Sequence, residues 1–330
     1  MKSRQAETYR TQQSTIGNIM SRGLNRFAIL VACATFFLII AGALVTSHDA
    51  GLATSDWPLS NGQVFPKMVG NLFWEHGHRM VATTVGLLTI VLMVYVLVKE
   101  KRDWVRKLGV LALVVVIAQG LLGGLTVKLM LPLPVSTAHA MLAQLFFCTT
   151  VSLAVFTSRS WMEAAPPTSE QKGSLLLRHL CAAALVTIYL QLILGATLRH
   201  SATWDKELPT QLILAHVGGA FAVTVMLGIA GVSVIRRHKG MTFLTRPATL
   251  ALSLLGLQLF LGLAAYLARA ASPNDPQPLN PMVGITVAHV ACGALVFATT
   301  IVLTLRTYKV LPASDSGVEL AARPQESSSF

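Results

Sequence analysis

This chain is built on a pattern first seen at Gly77-His78-Arg79-Met80-Val81-Ala82, a small residue and a histidine followed after three residues by another small residue. The pattern returns three times, each time where a long apolar run begins: Ala138-His139-Ala140-Met141-Leu142-Ala143, Ala215-His216-Val217-Gly218-Gly219-Ala220 and Ala288-His289-Val290-Ala291-Cys292-Gly293. Residues four apart share one face of a helix, so each imidazole would have a small side chain one turn away. That arrangement leaves room for a flat group.

The composition predicts an integral membrane protein. Of the 330 residues 53% are hydrophobic and only 12% are charged, which is far more apolar than a soluble domain. Uncharged runs long enough to cross a bilayer, about 20 residues each, lie at 27–47, 80–98, 108–127, 135–157, 180–198, 212–235, 247–268 and 283–305. The predicted fold class is therefore all-α, with eight transmembrane helices.

The net charge of +12 does not indicate nucleic acid, because the basic residues follow the topology of a membrane protein. With a cytoplasmic N-terminus, twenty of the 26 Lys and Arg fall in the tails and loops of the cytoplasmic side. Both termini are therefore predicted to be cytoplasmic, and the polar segment 1–26 lacks the apolar core of a signal peptide.

The chain divides into two similar halves. We predict a cytoplasmic tail at 1–26, a four-helix half at 27–157 with an outer loop at 48–74, a cytoplasmic linker at 158–177, a second four-helix half at 178–307 and a disordered tail at 308–330. The outer loop contains turn formers and two tryptophans, which fits either an ordered flap on the membrane surface or an ordinary interfacial loop.

A glutamine and a glycine one turn apart recur in the odd-numbered spans and support a duplication. The pairs are Gln119 with Gly123, Gln191 with Gly195, and Gln258 with Gly262, while Leu38 and Gly42 stand in the same register of the first span. Glycine permits close helix packing and glutamine bonds across helices, so the pairs fit helix packing. A position beside a ligand is the other interpretation.

Four histidines in one register favour a haem protein. Neutral imidazole is a good ligand for iron, zinc or copper, but the spans supply no carboxylate, Cys or Met cluster that a zinc or copper site would add. Haem needs only two axial ligands from facing helices. One pair in each half gives two predicted sites, His78 with His139 and His216 with His289.

Other polar residues distinguish the two predicted sites. Glu75 lies one turn before His78, whereas Ser136, Ile213 and Thr286 occupy the equivalent positions, so proton or charge chemistry is expected only in the first half. The alternative is that Glu75 is a solvated loop residue or an ion-pair partner for Arg79. Candidate partners for the anionic propionates are Arg79, Lys128, Arg199 and Arg269, which would otherwise anchor helices at the interface. We predict that His48 and His200 occupy matching loop positions and could cover a haem edge.

At these residues the sequence resembles the haem A synthase family of cytochrome oxidase assembly. The resemblance covers nearly the whole membrane region and includes Gly42-Ala43-Leu44-Val45-Thr46, Gly51-Leu52-Ala53, Asp56-Trp57-Pro58, Asn61-Gly62-Gln63, Glu75-His76-Gly77-His78-Arg79, the Ala-His pairs and Gly195 to His200. Many bacterial members carry a cysteine pair in the first outer loop. Here Thr54 and Ser60 stand at those places, as in members that lack the pair.

The resemblance implies an oxidoreductase that converts haem O to haem A by oxidising a ring methyl group to a formyl group. It implies that His78 and His139 hold the iron of the substrate haem, that His216 and His289 hold a resident haem b, and that Glu75 is the catalytic carboxylate. The expected location is the bacterial plasma membrane, with the haem sites toward the outer face. Candidate partners are lipid, haem O synthase, an electron donor and a second copy of the chain.

Two other functions remain open from the residues. A dihaem electron carrier would keep permanent haems at both histidine pairs and would not need Glu75. A haem exporter or chaperone would need an opening path and a loosely held porphyrin.

Overall fold

The computed structural model describes residues 2–164, 174–201, 209–271 and 280–312, with the backbone alone for residues 2–21 and 174. Nine helices lie in these ranges: α1 (Lys2–Ser47), α2 (Asn71–Lys99), α3 (Asp103–Lys128), α4 (Leu133–Phe156), α5 (Arg159–Met162), α6 (Ser174–Ser201), α7 (Thr210–Arg237), α8 (Thr242–Ala271) and α9 (Asn280–Val310). A single isolated bridge between Ser60 and Gln63 is the only β-type pairing in the described ranges.

Eight of the described helices, all except the one-turn α5, are long and apolar enough to cross a membrane. This confirms the eight spans predicted from the apolar runs. Large apolar side chains remain exposed on the outward faces, and Phe221 and Phe260 are 72% and 67% exposed. A surface of this kind is stable against lipid rather than water.

Several helices extend beyond the predicted segment boundaries. Helix α1 begins at Lys2 and runs through the predicted tail 1–26, although the part that could cross a membrane begins at Arg22. The predicted linker 158–177 contains α5 and the start of α6, and α9 continues to Val310. An apolar run marks only the lipid-crossing part of a helix, whereas Lys, Arg, Gln and Glu also favour helix beyond it. Residues 165–173 and 313–330 of the predicted linker and tail lie outside the described ranges.

The eight long helices pack in two groups of four. In the first group α1 contacts α2 and α4, and α3 contacts the same two helices; α6, α7, α8 and α9 repeat this arrangement. The groups meet where α9 contacts α1 and α4, and where α4 contacts α6. Ile39, Phe147, Ala294 and Ala298 form a buried apolar cluster at this junction.

The two ends of the bundle differ in chemistry. One end carries short connections and basic residues that bond to neighbouring helices: Arg102 donates to the carbonyl of Phe156 at 2.8 Å, and Arg306 to that of Phe243 at 3.0 Å. The opposite end carries residues 48–70, which we call the flap, and the N-terminal turns of the four helices with the histidine pattern. The predicted functional residues therefore lie at one end of the bundle.

Candidate functional site

Each of the four histidines lies in the first turns of an even-numbered span and faces a glycine of the preceding span. They are the seventh to tenth residues of α2, α4, α7 and α9. A Cβ atom added to the facing glycine would come within 2.9–3.3 Å of the ring: Gly42 against His78, Gly123 against His139, Gly195 against His216 and Gly262 against His289. Any larger residue at these glycines would displace an imidazole.

The histidines of the second group face each other. The ring centroids of His216 and His289 are 6.4 Å apart and the ring planes are inclined by 72°. Gln191 donates to the carbonyl oxygen of His216 at 2.8 Å, and its amide nitrogen lies 3.0 Å from Nδ1 of that ring. The amide nitrogen of Gln258 lies 3.2 Å from Nε2 of His289. The recurring glutamines thus hold the histidines as well as the helices.

The first group repeats this arrangement. The imidazoles of His78 and His139 are close enough to interact electrostatically. Gln119 donates to the carbonyl oxygen of His139 at 3.0 Å, and its amide nitrogen lies 3.4 Å from Nε2 of the ring. The structure therefore brings His216 and His289 together and places His78 within electrostatic range of His139.

The pair His216 and His289 fits a metal bound between two imidazoles. An imidazole nitrogen binds a metal at about 2.0 Å, so two rings on one metal have centroids roughly 6 Å apart. In the described residues Nδ1 of His139 and of His289 are buried without a hydrogen-bond partner. No cluster of three or more His, Cys, Asp or Glu that could hold a metal occurs in those residues. A group that needs two axial ligands matches this donor set.

Glu75 is buried and both of its oxygens are occupied. Its side chain is 5% exposed; Oε1 accepts a hydrogen bond from Arg79, and Oε2 accepts from the backbone amide of Thr54 at 3.1 Å. The ion pair with Arg79 that the sequence allowed is therefore present. The carboxylate connects α2, which carries His78, to the flap.

Arg79 and Lys128 also hold the flap. Besides Glu75, Arg79 donates to the carbonyl of Asp56 at 2.9 Å, to the carbonyl of Leu59 and to the hydroxyl of Ser60 at 3.1 Å. Lys128, at the end of α3, donates to the carbonyl of Ser55 at 3.4 Å. These cations therefore contact flap backbone and do not lie free at the interface.

Polar contacts order the flap at Thr54 and Ser60. The Thr54 hydroxyl bonds to Asp56 and lies 3.3 Å from the side-chain oxygen and the backbone amide of Asn61. Ser60 is fully buried, and its hydroxyl is 2.8 Å from Nδ1 of His76. Noncovalent contacts thus link both positions to the rest of the flap or to α2.

Asp56 organises the tip of the flap. Its carboxylate accepts hydrogen bonds from the backbone amides of Asn61 and Gly62 at 2.9 and 2.8 Å. These amides, the Gly62 amide first, together with the Thr54 hydroxyl hold the pKa of Asp56 well below its usual range. The carboxylate therefore stays ionised throughout the physiological pH range.

Arg199 and His200, consecutive residues near the end of α6, lie at the junction of the two groups. Arg199 donates from Nη2 to the carbonyl of Ala43 at 2.9 Å and to the hydroxyl of Ser47 at 2.6 Å, both on α1. It also interacts electrostatically with His289. His200 interacts electrostatically with Arg199 and with His139 of the first group.

The predicted equivalence of His48 and His200 is off by one position. Gly42 and Gly195 each face a histidine, so they define the register of the two helices, and in that register His200 matches Ser47. His48 follows the end of α1 and stacks on Trp74, with ring centroids 4.0 Å apart. His200 lies inside α6.

Sequence reasoning missed residues whose role depends on distant contacts. Trp57 lies against Gly124 of α3, where an added Cβ would come within 2.6 Å of the indole. The side chains of Thr54 and Ser60 bond to the flap and to α2. The short spacing from Asp56 to Asn61-Gly62 was the only local signal for this network, because a carboxylate that caps a turn is common in such sequences.

Comparison with known proteins gives a matching family model and several similar proteins. The family model of cytochrome oxidase assembly proteins (COX15-CtaA) matches residues 67–301. The chain is similar to heme A synthase of Shouchella clausii, with 26% identity over 271 residues that cover 75% of this chain and 88% of the relative. Heme A synthase of Bacillus licheniformis is 28% identical over 190 residues, 56% of this chain and 61% of the relative. Heme A synthase of Caulobacter vibrioides is 31% identical over 154 residues, which cover 42% of this chain and 43% of the relative.

The Bacillus and Caulobacter matches thus span less than two thirds of the relatives' own length. The family model, in contrast, covers well over half of this chain and includes all four histidines and Glu75. The chain belongs to the haem A synthase family of cytochrome oxidase assembly proteins.

Proposed function

We propose that this protein is a haem A synthase, a membrane oxidoreductase that oxidises a ring methyl group of haem O to a formyl group. The observation that carries the proposal is the pair of facing imidazoles, His216 and His289, with a second histidine pair, His78 and His139, in the first group and the buried carboxylate of Glu75 one turn from His78. Related proteins that bear the name heme A synthase support it.

In this proposal the two groups of helices are pseudo-symmetric copies with different tasks. His78 and His139 hold the iron of the substrate, haem O, and His216 and His289 hold a resident haem b. The repeated contacts between glycine and histidine support the duplication. Haem b would supply electron transfer when bound, while Gln191 and Gln258 hold the imidazole rings of His216 and His289.

Glu75 is the proposed catalytic carboxylate. It lies one turn from His78 and is buried, so its negative charge would act strongly on positive charge that develops in a substrate beside it. Its bonds to Arg79 and Thr54 fix the position of the carboxylate. The residues at the other three equivalent positions, Ser136, Ile213 and Thr286, carry no charge.

Arg79, Lys128, Arg199 and His200 remain the proposed contacts to the porphyrin edge. A guanidinium has five N–H donors and an ammonium has three, so their present bonds leave donors for a propionate. The position of His200 near His139 supports a role at the substrate site. Arg269, the fourth cation considered, lies at the end of α8.

We further propose a multi-pass protein of the bacterial plasma membrane, with both termini cytoplasmic and both haem sites toward the outer face. The basic residues at the end of the bundle opposite the flap support this orientation. Haem O synthase, an electron donor and a second copy of the chain are the proposed protein partners.

The test is to express the chain in cells that make haem O, extract the pigment from the purified protein and separate the haems by chromatography. A haem A synthase yields haem A or its hydroxylated precursor. A dihaem electron carrier yields unaltered haem at both pairs, and an exporter or chaperone yields a loosely held, unaltered porphyrin. Either of the last two results refutes the proposal.

The role of Glu75 is tested by Glu75→Gln, which keeps an oxygen for the Thr54 amide but removes the charge. Haem O should stay bound while haem A falls by roughly 10²-fold or more, as expected for loss of a catalytic acid or base. Arg79→Gln is the matched control, because it breaks the same ion pair and keeps the carboxylate. An equal loss in both variants would assign Glu75 to holding the flap and not to chemistry.

A further inference from the structure

Arg199 makes two hydrogen bonds across the junction between the helix groups. Its Nη2 atom donates to the carbonyl of Ala43 and to the hydroxyl of Ser47. Both acceptors belong to the last turn of α1, which ends at Ser47. A cation is stabilised at the C-terminal end of a helix because the carbonyl groups there carry partial negative charge. Arg199 therefore attaches the end of α1 to α6.

The attached end of α1 forms part of the first histidine site. Ala43 directly follows Gly42, and a Cβ at Gly42 would come within 3.3 Å of Nε2 of His78. Four residues before Arg199 on α6, Gly195 lies against His216 in the same way. One side chain thus fixes the spacing of two helices, each of which supports a histidine of a different pair.

Arg199 has no ion-pair partner among the residues that the structure describes. Among the described residues the ion pairs involve Glu75, Asp103, Glu100 and Glu163, and none includes Arg199. The guanidinium is half-buried and interacts electrostatically with His289. The charge of Arg199 therefore acts on the His216–His289 pair.

We propose that Arg199 is a positioning residue that joins the two histidine sites: it braces the end of α1 against α6 and places one fixed positive charge beside the His216–His289 pair. The bracing follows from the hydrogen bonds alone. The electrostatic effect on a bound haem rests on the proposed function. A positive charge favours the reduced form of iron, because reduction removes one positive charge from the centre.

The test compares Arg199→Gln and Arg199→Lys with the unaltered protein and with Arg178→Gln. Arg178 is a matched control: it lies near the other end of α6, roughly 30 Å away along the helix, and it also donates to a carbonyl of a neighbouring segment, that of Leu311 at 3.4 Å. Two quantities are measured on each protein purified in detergent, hydrogen exchange of residues 43–50 and the midpoint potential of the bound haem b.

In Arg199→Gln, exchange at the end of α1 should become roughly tenfold faster, since hydrogen bonds from a charged donor are lost, and the midpoint potential should fall. Arg199→Lys should retain the potential, because the charge remains, but should exchange faster than the unaltered protein, because an ammonium cannot reproduce the guanidinium geometry. Arg178→Gln should change neither quantity.

Unchanged exchange in Arg199→Gln would overturn the brace, and an unchanged potential with haem still bound would overturn the electrostatic role. If the unaltered protein binds no haem b, the proposed function fails, and the exchange measurement still decides whether Arg199 braces α1. If Arg199→Gln does not fold, Arg199→Lys tests both the brace and the electrostatic role. Unchanged exchange in Arg199→Lys contradicts the brace. A lower midpoint potential in Arg199→Lys contradicts the electrostatic role, because this variant keeps the positive charge.

Discussion

The carboxylate of Glu75 is bonded to the guanidinium of Arg79 one helical turn away, and both side chains also bond to the flap. The pair is 5% and 12% exposed, so it is largely shielded from water. A buried pair of this kind contributes through geometry more than through net stability, since desolvation offsets the attraction. We therefore expect its main effect on the order of the flap.

Arg79→Gln should loosen the flap while leaving the bundle folded. The substitution removes the bonds from Arg79 to the carbonyls of Asp56 and Leu59 and to the Ser60 hydroxyl. Hydrogen exchange of residues 54–62 should become at least roughly tenfold faster, since several bonds from a charged donor are lost. Arg106→Gln is the control, because Arg106 is exposed and its one ion pair among the described residues is with Asp103 at 3.5 Å. Equal exchange in the two variants would show that Arg79 does not hold the flap.

Gly262→Ala should displace His289. The added Cβ would lie 2.9 Å from Cε1 of the ring, and relief of such a contact costs about 1–3 kcal/mol. We expect a lower unfolding temperature and, in the haem-loaded protein, a loss of haem absorbance. Gly256→Ala on the same helix has open space around its Cβ and should be neutral or stabilising by up to about 1 kcal/mol. Retention of the haem spectrum by Gly262→Ala would contradict the assigned contact.

Gly124→Ala should displace the indole of Trp57 from the surface of α3. The new Cβ would come within 2.6 Å of the indole ring, which is closer than two carbon atoms can approach, so the ring must move. The flap should then show faster exchange around Trp57 and a red-shifted tryptophan emission, because the ring becomes more exposed to water. Gly120→Ala, one turn away with nothing within 4 Å of its Cβ, provides the comparison. If both alanine variants have the same emission, Trp57 does not depend on Gly124.

The contacts of Asp56 at the tip of the flap should be insensitive to pH between about 8 and 5. The folded pKa of Asp56 is depressed, so its contribution to stability is fully present above the unfolded value of about 3.9 and is lost only as the pH falls through the lower folded value. Exchange of the amides of Asn61 and Gly62, corrected for the intrinsic rate, should therefore stay constant over that range. Asp56→Asn should exchange faster at every pH, since the charged acceptor for the amides of Asn61 and Gly62 is gone. A rise in wild-type exchange between pH 7 and 5 would contradict this assignment.

The sequence by itself determined the number and type of the helices and the candidate site. A bilayer requires each span to be long, apolar and helical, so the eight spans can be recognised from local composition. The register of four histidines and four glycines is also local, because residues one turn apart share a helix face. This was enough to pair His216 with His289, which face each other in the structure.

Only the tertiary structure decided what the polar side chains at the flap and at the junction contact. Arg199 bonds to Ala43 and Ser47, more than 150 positions earlier in the chain, and Arg79 bonds to a flap folded back over its own helix. Long charged side chains reach several partners, and which of them they meet depends on how helices distant in sequence pack together. The local sequence determines the helix position of such a residue, and the packing of the bundle determines which groups its side chain contacts.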